Sequence, residues 1–100
     1  MSSAFNDRLP QFFGGYFHED WQVEAEDPDG IIDLYMSQAD RDQRLGVAEG
    51  IDALITSDLS DEAISRMLFE ELGCYYDPTP DGLSARAWLQ QVSHRLKGRQ

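Results

Sequence analysis

Residues 12–21, Phe12-Phe13-Gly14-Gly15-Tyr16-Phe17-His18-Glu19-Asp20-Trp21, hold five of the eleven aromatic side chains in a chain of 100 residues. No solvated loop tolerates that density. On a helix, Phe13, Phe17 and Trp21 fall at i, i+4 and i+8 with Phe12 and Tyr16 beside them, so the five rings share one broad face that must be buried. Gly14 and Gly15 oppose a helix by about 1 kcal/mol each. Each large ring removes roughly 150–250 Å² from water, an upper bound of about 4–6 kcal/mol apiece, so packing outweighs propensity. The paired glycines then mark a close approach of neighbouring backbone, or a place where the helix is broken and re-aimed.

Working outward, the spacing predicts a first helix over residues 9–17, with Pro10 in its opening turn and residues 1–8 flexible. His18 to Gly30 is acidic, and Asp27-Pro28 reads as the cap and first residue of a second helix bearing Ile31, Ile32, Leu34 and Tyr35. From Asp40 to about Thr56, Leu45, Ala48, Ile51, Leu54 and Ile55 recur at helical intervals. Ser60 caps the next helix, Asp61 and Glu62 suit its first turn, Ile64, Met67, Leu68 and Leu72 form its stripe, and Gly73 stops it. Cys74-Tyr75-Tyr76 is too short for a sheet and reads as an extended packing segment. Beyond the stiff connection of Pro78, Pro80 and Asp81-Gly82, Ser84 caps a last helix with Leu89, Val92 and Leu96 on one face and Trp88 beside them. Its bases, clustering toward the C-terminal end, suit the helix dipole. No stretch alternates with period two for long enough to be a strand. The expectation is an all-α fold, a compact single-domain bundle of four or five helices with short irregular connections over residues 1–100. Its core includes Phe12, Phe13, Tyr16, Phe17, Trp21, Leu72 and Trp88.

Charge is the second clue. Nineteen acidic residues face eight basic ones for a net −11. Residues 1–85 carry all nineteen acids against four arginines, a net −15, whereas residues 86–100 carry four bases and no acid. Such a field repels nucleic acid and anionic lipid, so neither is expected as a direct partner. A cationic partner is favoured, although acids that serve solubility alone would give the same composition. No apolar run exceeds three residues, and residues 1–10 lack the basic start and apolar stretch of a signal peptide, so a cytoplasmic location is expected. The single cysteine, Cys74, cannot close an intramolecular disulfide and reads as a small buried hydrophobe.

Chemistry is not signalled. There is no G-x-S-x-G, P-loop, C-x-x-C or H-E-x-x-H. His18 beside Glu19 and Asp20 makes weak ligand geometry, since neighbours on a helix point in different directions. It reads instead as a residue packed at the end of the aromatic helix and bonded to a nearby carboxylate or carbonyl, with His94 exposed. The chain is therefore expected not to be an enzyme and to hold no cofactor and no metal. Binding remains, and the run Glu19, Asp20, Glu24, Glu26, Asp27 and Asp29 is the obvious surface for it, against the plainer reading of a solvated face.

The segment from Leu9 to Trp21 closely resembles the N-terminal signature of a family of contact-dependent growth inhibition immunity proteins, the CdiI type. The likeness continues in Glu71-Leu72-Gly73-Cys74-Tyr75-Tyr76-Asp77-Pro78, in Asp81-Gly82-Leu83-Ser84 and in Trp88-Leu89. The resemblance implies a small, largely helical cytosolic protein of bacteria that binds and neutralises a cognate toxin, the C-terminal domain of a large exported effector, one to one. Such toxins are commonly nucleases, and the acids from Glu19 to Asp29 would then stand in for substrate phosphates and pair with toxin lysines and arginines. The same charge also fits an acidic adaptor or nucleic-acid mimic acting on a basic host protein.

Overall fold

The computed structural model describes residues 8–98, with no side chain described at residue 8. The expectation of flexible residues 1–8 thus falls, but for the backbone of residue 8, outside the described residues. Six α-helices follow in order: α1 Arg8–Tyr16, α2 Trp21–Glu24, α3 Pro28–Gln38, α4 Arg41–Ile55, α5 Asp61–Glu70 and α6 Ala85–Leu96, with a 3-10 turn over Thr79–Asp81. No strand occurs among the described residues. The all-α expectation holds, with one helix more than the four or five foreseen, because α2 is a single turn in the acidic stretch.

The helix starts are set by short polar side chains. Asp27 accepts from Gly30 N at 2.8 Å with Pro28 as first residue of α3, Ser60 accepts from Ala63 N, and Ser84 from Ala87 N. Asp40 and Gln43 form a reciprocal capping box on α4. Each satisfies amide donors that the first turn of a helix leaves without partners.

The first helix expected over residues 9–17 is found as α1, and Trp21 stands beyond its end rather than on its continuation. α1 stops at Tyr16, and Trp21 opens α2 after a bend. In that bend Asp20 N donates to His18 Nδ1 and Trp21 N donates to the His18 carbonyl, local bonds that compete with the helical ladder. The break lies after the glycines rather than at them. Trp21 still reaches the core, because the re-aimed chain brings its ring 6.2 Å from Phe17 and 5.6 Å from Tyr76. Phe17 also meets Trp88 edge to face at 5.3 Å, and Phe12 meets Tyr35 at 4.6 Å, geometries that aromatic quadrupoles favour. Phe12, Phe13, Phe17, Trp21, Leu72 and Trp88 are buried. Tyr16 is only half-buried, with its hydroxyl donating to Gln38 Oε1, so it borders the core rather than filling it. Cys74 is buried, as expected.

α4 and α6 run antiparallel, and each serves the other's end. Arg44, in the first turns of α4, donates to the carbonyl of Leu96 at the close of α6. Arg86, in the first turn of α6, donates to the carbonyl of Ile55 at the close of α4, to that of Leu59 beyond it and to Asp61 at 3.1 Å. Arg86, at the start of α6, thus serves the end of α4 rather than its own helix. Midway, the buried Ser93 donates to Asp52 Oδ1 at 2.7 Å while Lys97 Nζ lies 2.6 Å from Asp52 Oδ2. Arg95 reaches Asp29 and Asp33 of α3. Arg86, Arg95 and Lys97 are thus folded back onto acids, so among the described residues the separation of charge seen along the sequence is not kept in space.

Between α5 and α6, residues 73–78 form neither helix nor strand, and the segment passes close to α1 at Gly14. Tyr75 N donates to the Phe17 carbonyl at 2.7 Å, and Gly73 adopts a positive φ of 75°.

Candidate functional site

All six carboxylates singled out from the sequence are exposed, but the fold disposes them in different ways. Glu19 and Asp20 sit on the bend between α1 and α2. Glu24 closes α2, where its Oε2 lies 2.6 Å from His18 Nε2. Since His18 Nδ1 accepts from Asp20 N, the ring proton sits on Nε2 and is donated to Glu24. His18 thus bonds a nearby carboxylate, as expected, and its other ring nitrogen is engaged as well. His94 is exposed. Among the described residues, no group of three or more His, Cys, Asp or Glu side chains is arranged to hold a metal ion. Asp27 is committed to capping α3, and Asp29 turns toward Arg95, 3.5 Å away.

Glu26 and Asp27 line a groove of about 430 Å³ whose other walls include Trp21, Tyr76, Asp77 and Asp81. Among the described residues no lysine, arginine or histidine lines it. Asp77 and Asp81 were not among the acids chosen from the sequence, which assigned the Asp77-to-Asp81 stretch to a stiff connection. The available signal was the pair of acids bracketing Pro78 and Pro80. Asp77 Oδ1 accepts from Thr79 N at 3.0 Å and Thr79 Oγ1 at 2.8 Å, and Tyr76 donates to Asp81 Oδ2 at 2.5 Å. Partial burial, that bond, and the carboxylates of Asp81, Asp29 and Asp77 hold the Tyr76 hydroxyl well above the ordinary tyrosine range. Carboxylates from two separate segments, α3 and the connection between α5 and α6, therefore act on one ring. Such a groove suits a cationic group. The Cys74 thiol does not line it, and burial pushes that thiol up to about 12 and keeps it protonated at neutral pH.

No helix of the described residues is long and apolar enough to cross a membrane. A family model described as CdiI immunity protein matches residues 6–96. The fold is similar to that of a chain in the crystal structure of a CdiA-CT/CdiI complex from Y. kristensenii 33638, with a TM-score of 0.85 at 22% identity. The match covers 94% of this chain and 99% of that one. At that identity the likeness concerns the fold alone. No curated protein matches the chain.

Proposed function

The chain belongs to the CdiI immunity protein family, and from that membership we propose that it binds and neutralises a cognate toxin, the C-terminal domain of a contact-dependent growth inhibition effector. The observation that carries this reading is the family match over residues 6–96. The likeness in fold to a protein from a CdiA-CT/CdiI complex supports it. The role is one of binding rather than catalysis, exerted in the cytoplasm by residues 1–100 acting as one domain on one toxin molecule.

The toxin in this proposal is a nuclease, basic where it holds phosphates. A net charge of −11 supports that choice. Glu19, Asp20, Glu24, Glu26, Asp27 and Asp29 meet its lysines and arginines in place of nucleic acid. Opposite charge of this size steers encounter, raising association toward about 10⁸–10⁹ M⁻¹s⁻¹ at low salt, which matters when free toxin is lethal.

The test is to purify the protein with the toxin domain encoded by the adjacent upstream gene. A one-to-one complex in which toxin activity is silenced is the expected result. No complex at micromolar concentrations would remove the proposal, and an active toxin that degrades neither RNA nor DNA would remove the nuclease assignment alone.

A further inference from the structure

Eight of the eleven aromatic residues, Phe12, Phe13, Tyr16, Phe17, Trp21, Tyr35, Tyr76 and Trp88, join in one cluster of ring contacts. Phe69 and Tyr75 stand apart from it. They meet each other edge to face at 5.0 Å on the surface, 53% and 49% exposed. Phe69 lies near the end of α5 and Tyr75 in the extended segment, so the pair is assembled by the tertiary fold and held there by the bond from Tyr75 N to the Phe17 carbonyl. The fold thus brings the two rings together without a partner. Preorganised aromatic side chains of this kind anchor protein interfaces, since they offer large area with little rotamer entropy to lose.

Tyr75 also lines two adjoining depressions. One, of about 250 Å³, is walled by Leu68, Phe69 and Pro78. The other is the carboxylate groove of Glu26, Asp27, Asp77 and Asp81. Tyr76 and Asp77 line both, so apolar and acidic surface are continuous across this segment. The charge is one-sided, with no base in either wall among the described residues.

We propose that Phe69 and Tyr75, with the groove beside them, form the docking surface for an arginine-bearing segment of the toxin domain. The proposal rests on the reading of the chain as an immunity protein and names the part of its surface that does the work. A guanidinium entering the groove finds carboxylates for forked hydrogen bonds and the Tyr75 ring for stacking, a combination that a lysine ammonium uses less well. Apolar neighbours of that arginine cover Phe69. Burial of the rings sets how long the complex lasts, and the carboxylates set how fast it forms.

The experiment measures binding of the upstream-encoded toxin domain to the unaltered protein, to Phe69→Ala/Tyr75→Ala and to Tyr75→Arg, with thermal melting of each to establish folding. The double variant is expected to dissociate at least about 30 times faster with little change in association rate, as loss of a central anchor does. Tyr75→Arg, which sets a like charge against the toxin, is expected to weaken binding further. In the unaltered protein, hydrogen exchange is expected to slow over residues 69–81 on toxin binding, a readout that holds even if a variant fails to fold. Affinity within twofold of the original in folded variants, or no protection over 69–81, overturns the docking surface while leaving the immunity reading intact. Failure of the unaltered protein to bind overturns both. Self-association of the protein alone that is lost in the double variant would assign this face to a second copy and also overturn the proposal.

Discussion

A methyl group placed on Gly73 would lie 3.3 Å from the Cα of Gly14, so the segment leaving α5 and the last turn of α1 meet backbone to backbone. One placed on Gly14 would lie 3.4 Å from the Leu72 carbonyl oxygen. The neighbouring Gly15 is exposed and nothing approaches the site of its absent side chain within 4 Å. Of the two paired glycines, only Gly14 is explained by close approach. Gly73 has the further need of a left-handed backbone, which costs other residues about 1–2 kcal/mol.

The two glycines therefore respond oppositely to the same change. Gly73→Ala is expected to lower stability by about 1–2 kcal/mol or more, through the left-handed backbone and the contact with α1. Gly15→Ala, on an exposed helical position, is expected to raise it by about 0.4–1 kcal/mol. Urea midpoints at constant slope measure both. A stabilised Gly73→Ala would mean that the close approach is not there.

Arg86 offers a test of the antiparallel α4 and α6 pair. Arg86→Ala removes the donor to the carbonyls of Ile55 and Leu59 and leaves Asp61 without its ion pair. A loss of about 2–3 kcal/mol is expected from hydrogen bonds made by a charged group at a half-buried site. Arg86→Lys should recover less than half of it, because an ammonium cannot span carbonyls four residues apart as the planar fork does. Full recovery by lysine in calorimetric melting would show that charge alone matters there.

Alkaline pH is expected to destabilise the fold. The Cys74 thiol titrates near 9.0 when unfolded and about 12 when folded, and the Tyr76 hydroxyl is likewise raised from its ordinary 10.0. In both, the folded state holds the proton more tightly. Their contribution is therefore fully present below pH 9 and lost as pH rises from about 9 through 12. Denaturant titrations at pH 7, 9 and 10.5 should show the decline, with a shallower slope in Cys74→Ala. The same burial predicts that Cys74 reacts with thiol reagents at pH 8 only after unfolding. Rapid labelling of the folded protein would contradict it.

The acids of the α2–α3 region separate into those that fold and those free to bind. Asp27→Lys removes the cap of α3 and should cost about 1 kcal/mol besides any effect on the toxin. Glu26→Lys alters an exposed groove carboxylate and should leave stability within about 0.5 kcal/mol. It should nonetheless slow toxin association and weaken its dependence on salt. Stopped-flow association at two ionic strengths measures this, and an unchanged rate would move the encounter surface away from the groove.

Much of the fold was legible because its signals are local. Asp27-Pro28, Ser60 and Ser84 act within three residues along the chain, and each cap stands where its residue type placed it. The end of α1 was legible to within a residue, but the separate turn of α2 was not, because the bend that sets it apart depends on the His18 ring accepting from the Asp20 amide. The candidate site was legible only as an acidic run. Nothing in the spacing of Glu26 and Asp27 indicates that Asp77 and Asp81, about fifty residues on, share their groove.

By itself, then, the sequence determined helix starts, an aromatic interior and a net negative charge, since capping, period and composition are properties of neighbours and of sums. Only the tertiary structure decided where the charge lies. It turned Arg86, Arg95 and Lys97 onto Asp29, Asp33, Asp52 and Asp61, gathered carboxylates from separate segments into one groove, and left Phe69 and Tyr75 outside the aromatic core. Coulomb and ring contacts act through space, and the distances that set them exist only once the chain has folded.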